Sequence, residues 1–193
     1  AVREAEPVQE RNMQEKYSRN IEDKRTIAAY AATLVRPNDF IFLDAGSTTE
    51  QLATYLTEKD AIYVTNGITL AQKLAQRGLK TLLLAGRVKA TTDAVIGTEA
   101  VASLQHYHFS KGFFGTNGIT VEEGFTTPDI EEAMNKRVAM EHCRKCYVLA
   151  DASKFEALSN VSFGPLSKGV IITAAQEGLN VRSYKQHTEV IVL

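Results

Sequence analysis

Three short polar clusters carry the residue types from which an anion site is made: Asp44-Ala-Gly46-Ser47-Thr48-Thr49, Thr65-Asn66-Gly67 and Asp151-Ala-Ser153-Lys154. Hydroxyls, backbone N–H groups at a helix start and a mobile lysine suit a phosphate or carboxylate, and an adjacent aspartate suits the hydroxyls of a sugar. A fourth group, Thr126, Thr127, Glu132, Lys136 and Arg137, adds cations. Glu132 and Lys136 are four apart and so share a helix face. They read either as a surface ion pair or as a carboxylate beside a lysine that enters a crevice as a phosphate ligand. Ser and Thr at helix starts are also ordinary caps. The acids Asp44, Glu122, Glu123, Asp129, Glu132 and Asp151 include candidates for the general base of a sugar isomerisation, which keeps an enzyme as the alternative to a binding site.

The elements that must position these groups are legible in the hydrophobic pattern. Phe40 to Leu43 reads as a short buried strand that runs through a polar turn into an apolar-periodic helix reaching Tyr55. Ala61 to Thr65, Lys80 to Leu84, Lys145 to Ala150, Gly169 to Thr173 and Thr188 to Leu193 read as further strands. Helices are expected over residues 21–35, Ile68 to Arg77, Thr98 to Leu104 with Thr98 as its cap, and Ile130 to Cys143 with Asp129 as its cap. Strands alternating with helices predict an α/β fold with an open, mostly parallel sheet flanked by helices. In such a sheet all strand carboxyl ends lie on one edge, so the three strand-end clusters are expected to meet there. The stretches AGRVKATTDAVIG and Thr116 to Asp129 read as loops, Phe155 to Gly164 shows no period, and a short helix is expected near Gln176.

Composition sets the limits. A formal net charge of −1 over 193 residues gives no support to nucleic-acid binding by this segment. Two cysteines make no disulfide framework, and no apolar run reaches membrane-spanning length, so the chain reads as reduced and cytoplasmic. Cys143 and Cys146, with His142 beside them, sit where a helix runs into a strand rather than at a helix amino end, which reads as structural rather than redox or metal-binding. Residues 1–20 are polar with little apolar periodicity and read as an exposed arm ahead of a single domain, 21–193.

The segments LVRPNDFIFLDAGSTTEQLATYL, YVTNGITLAQKL, LLLAGR, VIGTEA, FFGTNGITVEEGFTTPDIEEAMNKR and YVLADASKF, in this order, resemble the effector-sensing domain of the DeoR family of bacterial transcriptional repressors. The likeness runs from about Glu10 to Thr173. It implies a core related to the ribose-phosphate isomerase, glucosamine-phosphate deaminase and coenzyme A transferase folds, and a phosphorylated sugar bound without turnover, with no cofactor and no metal. It also implies that residues 1–20 connect to an amino-terminal winged helix-turn-helix that binds operator DNA, and that the chain works as a homo-oligomer, dimer or tetramer. Carried over residue by residue, Asp44, Gly46, Ser47, Thr48 and Thr49 match the sugar-phosphate loop. Thr65 and Asn66 match a second strand-end contact, Gly86 and Arg87 a third, and Lys136, Asp151 and Lys154 the charged groups that close the pocket. The opening arm is most similar to regulators of lactose or tagatose, fructose and galactitol phosphotransferase operons, which makes tagatose 6-phosphate and fructose 1-phosphate the first expected ligands. The family usually has Gly-Ala-Asp-Gly where this chain has Gly115-Thr116-Asn117-Gly118, and an acid where it has Ala174.

Overall fold

In the computed structural model, which describes residues 13–193, seven parallel strands form one sheet. They are β1 (Phe40–Leu43), β2 (Ile62–Thr65), β3 (Lys80–Leu83), β6 (Phe109–Gly115), β9 (Cys143–Leu149), β11 (Val170–Thr173) and β12 (Val190–Val192), in the order β12-β11-β9-β6-β1-β2-β3. Every pairing within this sheet is parallel. The central strands alternate between two cores. Ile41 and Leu43 of β1 pack with Tyr63, Phe113, Tyr147 and Leu149 beneath α2 (Ile21–Ala32), α3 (Ser47–Tyr55) and α4 (Ile68–Gln76). Phe42, Val64, Phe114 and Val148 face the other way, toward α5 (Thr98–Gln105) and α6 (Ile130–Glu141). Burial on both faces is why these strands read as short continuous apolar runs.

Two stretches expected to be loops are hairpins. β4 (Arg87–Lys89) pairs antiparallel with β5 (Ala94–Ile96), and β7 (Gly118–Thr120) pairs antiparallel with β8 (Gly124–Thr127). β10 (Val161–Gly164), in the region without a period, joins β8 to complete a three-stranded sheet. Strands of three or four residues give no measurable alternation, and Gly118 and Gly124 disguise them further. A side chain at Gly124, φ +70°, would place its Cβ 2.3 Å from the Gly164 carbonyl oxygen. Gly124→Ala is therefore expected to destabilise the chain by about 2–4 kcal/mol through backbone strain and overpacking together, read as a lowered urea midpoint at unchanged m-value.

Three smaller expectations are corrected. Gly97, not Thr98, is the cap of α5, and Thr98 is its first helical residue. The chain near Gln176 turns without forming a helix, and a short 3-10 turn, Tyr184–Gln186, lies further on. Part of the expected exposed arm is helical: α1 (Met13–Ser18) packs on α3, with Met13 buried. The rest of that arm, 1–12, lies outside the described residues. Asp129 caps α6 as expected, its carboxylate accepting the Glu132 N–H at 2.9 Å.

Candidate effector site

Parallel pairing brings the carboxyl ends of β1, β6 and β9 to one edge, and a cavity of about 80 Å³ opens there. Its floor is the turn from β1 into α3, where Gly46, Ser47 and Thr48 line the space. Gly46 offers no capping side chain to α3. The Thr49 hydroxyl turns back to the Asp44 carbonyl at 2.5 Å and the Gly46 carbonyl at 2.8 Å, which tightens the turn. The first-turn N–H groups of α3 are thus left to a ligand or to water, at the positive end of the helix. Asn66, at the end of β2, accepts the Ala45 N–H at 2.8 Å and holds the turn from behind.

Asp44 is spent inside the protein. Its carboxylate is 2% exposed, accepts the Gly115 N–H at 3.0 Å and takes an ion pair from Lys136. Burial pushes the Asp44 carboxyl up, against the pull of the Lys136 ammonium. Lys136 also donates to the Gly115 carbonyl at 3.0 Å and lies over the Phe163 ring. Glu132 does not pair with Lys136. It accepts from Lys89 at 3.2 Å and from the Thr92 hydroxyl at 2.5 Å.

The sequence-derived candidates therefore divide. Gly46, Ser47, Thr48, Lys136, Asp151 and Lys154 line the cavity together. Asp44, Thr49 and Asn66 shape it from behind, and the Thr65 hydroxyl accepts the Gly67 N–H at 3.0 Å within the second strand-end turn. Gly86 and Arg87 are elsewhere: β3 is the sheet edge, two strands from β1, and Arg87 is exposed and paired with Glu131 at 2.5 Å. Of the two departures, Asn117 lines the cavity but its amide oxygen accepts the Thr127 hydroxyl at 3.2 Å, whereas Ala174 is buried in the core.

Five lining residues come from the arm and α2: Met13, Lys16, Arg19, Asn20 and Lys24. Asn20, in the left-handed region at φ 51°, donates to Asp151 at 2.9 Å, and Asp151 also accepts the Ser153 N–H at 3.0 Å. The Tyr17 hydroxyl donates to the buried Glu50, which Lys73 also reaches at 2.8 Å, so α1 is fastened to α3 as a roof. The signal that would have found Lys24 is its spacing. It stands three, four and seven residues before Ile27, Ala28 and Ala31, on the buried stripe of α2. Five cations and two carboxylates face one small space. The lining carries an excess of positive charge.

The model of the DeoR C-terminal sensor domain matches residues 19–174 of this chain. The chain belongs to that family. Among curated proteins it is similar to the uncharacterized HTH-type transcriptional regulator FruR of Bacillus subtilis, 40% identical over 185 residues, covering 95% of this chain and 74% of the relative. It is similar also to the lactose phosphotransferase system repressor of Streptococcus mutans, 34% identical over 186 residues, with 94% and 74% covered. The DeoR-type sensor shares its fold with eIF2B delta from Chaetomium thermophilum, at TM-score 0.54 and 15% identity over 76% of this chain and 57% of that one. It shares it too with ribose 5-phosphate isomerase A from Neisseria gonorrhoeae, at TM-score 0.51 and 16% identity over 72% and 54%. The sensor thus spans little more than half the length of these two structures, and the likeness concerns the sheet and its helices alone.

Cys143 and Cys146 interact where α6 runs into β9: hydrogen bonding to Cys146, together with burial, holds the Cys143 thiol above its ordinary range, and the same bond draws the buried Cys146 thiol below it. Among the described residues no helix is long and apolar enough to cross a membrane.

Proposed function

We propose that this DeoR-type sensor binds a phosphorylated sugar at the β1–α3 turn without turning it over. Binding then biases operator binding by an amino-terminal winged helix-turn-helix reached through residues 1–20. The observation that carries the reading is the cavity that joins Ser47 and Thr48, at the amino end of α3, to cations from three separate segments. Relatives named as a lactose phosphotransferase system repressor and a putative aga operon repressor support a sugar-operon setting in the cytoplasm. The carboxylates described at or behind the cavity hold internal bonds that suit positioning: Asp44 to Lys136, Glu132 to Lys89 and Thr92, Asp151 to Asn20 and Ser153. Leu82 and Leu83, exposed on opposite faces of the unpaired edge of β3, support assembly into a dimer or tetramer.

A melting screen over phosphosugars, with tagatose 6-phosphate and fructose 1-phosphate first, tests the proposal. A ligand at 100 times its Kd stabilises the folded chain by about 2.7 kcal/mol, so one or a few hexose phosphates are expected to raise Tm clearly, with no product by chromatography. Turnover of any hit would replace the reading with that of an isomerase or deaminase. No shift from any phosphosugar at millimolar concentration would sink it.

A further inference from the structure

Lys24 is 6% exposed, lines the cavity, and has no carboxylate within ion-pair distance among the described residues. Its one bond there is to the Lys16 backbone carbonyl. An ammonium carries three donors, and a buried one with a single neutral acceptor is under-satisfied. Lys24 also lies on the apolar stripe of α2, where a methionine of similar length would serve packing alone. A polar group kept on a core-facing stripe, at the wall of a cavity that already holds Ser47, Thr48 and Lys136, needs an occupant of opposite charge.

We propose that Lys24 is a direct ligand of the effector's anionic group, so that the anion bridges the β1–α3 turn to the helix that follows the arm. The inference rests on the sensor reading above and adds to it a residue and a consequence. The effector is then held by α2 as well as by the sheet edge.

Burial pushes Lys24 down to about 8, with Lys154, Lys16 and Arg19 adding to the fall and Asp151 opposing it. These are the charged groups that face it, from the turn after β9, from α1 and from the segment before α2. An anion placed against the ammonium favours its charged form and raises this value. Binding at pH 8 is then accompanied by proton uptake. Affinity is full below about pH 8 and declines as pH rises through it, because the neutral amine must first be charged.

The test is titration calorimetry of the 193-residue chain with fructose 1-phosphate, tagatose 6-phosphate and inorganic phosphate at pH 8, in buffers of different ionisation enthalpy. The two sugar phosphates are fully dianionic there, since the second pKa of a phosphate monoester is about 6, so with them uptake reports on the protein; inorganic phosphate reads affinity only. The expected result is uptake of roughly half a proton. Lys24→Met should abolish the uptake and weaken binding at least tenfold, and Lys24→Arg should bind without uptake. Wild-type binding without proton uptake, or a folded Lys24→Met that binds undiminished, overturns the proposal and leaves the sensor reading standing. Should Lys24→Met fail to fold, the wild-type proton count decides. Binding of none of the three probes overturns both.

Discussion

Lys136→Met is expected to destabilise the chain by about 3–5 kcal/mol, the cost of leaving a buried carboxylate without its partner. Asp44, 2% exposed, would keep only the Gly115 N–H and its surroundings would force it toward the neutral acid. Asp44→Asn fails from the other side, by stranding the Lys136 ammonium between the Gly115 carbonyl and the Phe163 ring. The double variant removes both charges, and its loss should be well below the sum of the single losses. Urea midpoints for the four proteins, with m-values checked for constancy, give the coupling. Single losses under about 1 kcal/mol, or simple additivity, would show that the pair is not a closed ion pair in solution. The consequence for function is direct. Asp44 clamps α6 to the end of β1, and the cavity's geometry depends on that clamp rather than on Asp44 touching the sugar.

What could be read from the chain, and what could not, follows from where the information is stored. β1, β2, β9 and β11 are buried on both faces, so each appears as an apolar run closed by a polar turn. Their shared carboxyl edge then predicts that Ser47, Thr48, Asp151 and Lys154 converge. Lys136 was visible as one of two cations on α6, but its bond to Asp44 joins residues 92 positions apart, which no local pattern encodes. The hairpins β4–β5 and β7–β8 look like loops in the sequence because their pairing is fixed by neighbours and by glycines at close backbone approaches. Arg87 lies away from the cavity for a related reason. The resemblance marks Gly86-Arg87 as following a strand end, but not that β3 stands at the sheet edge and turns away into a hairpin. The arm was the largest omission. Lys16, Arg19 and Asn20 lie in a polar stretch whose two packing anchors, Met13 and Tyr17, are too few to register as a period.

That arm sets the second large expectation. The cavity, about 80 Å³, is small beside pockets for whole small molecules, which run to about 300 Å³ and more. A hexose phosphate bound there is expected to displace part of the roof, breaking bonds such as Tyr17 to Glu50, Lys24 to the Lys16 carbonyl and Asn20 to Asp151. A ligand shifts such an equilibrium only by its preference for the open form, so the roof is the element through which the effector is felt by the arm. Met13 donates its N–H to the Thr91 carbonyl at 3.3 Å, so the two backbones approach each other there, and a disulfide between the two positions requires Cα atoms within about 7 Å. In a Met13→Cys, Thr91→Cys variant, oxidation should pin α1 over the cavity. Affinity for fructose 1-phosphate or tagatose 6-phosphate should then fall at least about 100-fold, a shift of about 2.7 kcal/mol, while inorganic phosphate binds within about threefold of the reduced form. Reduction should restore the sugar phosphate. If the oxidised variant binds sugar phosphates undiminished, α1 is not the part that moves. The opening then lies at Asn20, which separates the cavity from a wider groove of about 580 Å³ along Ser153, Phe155 and Gln176, and Asn20→Ala becomes the variant that raises affinity.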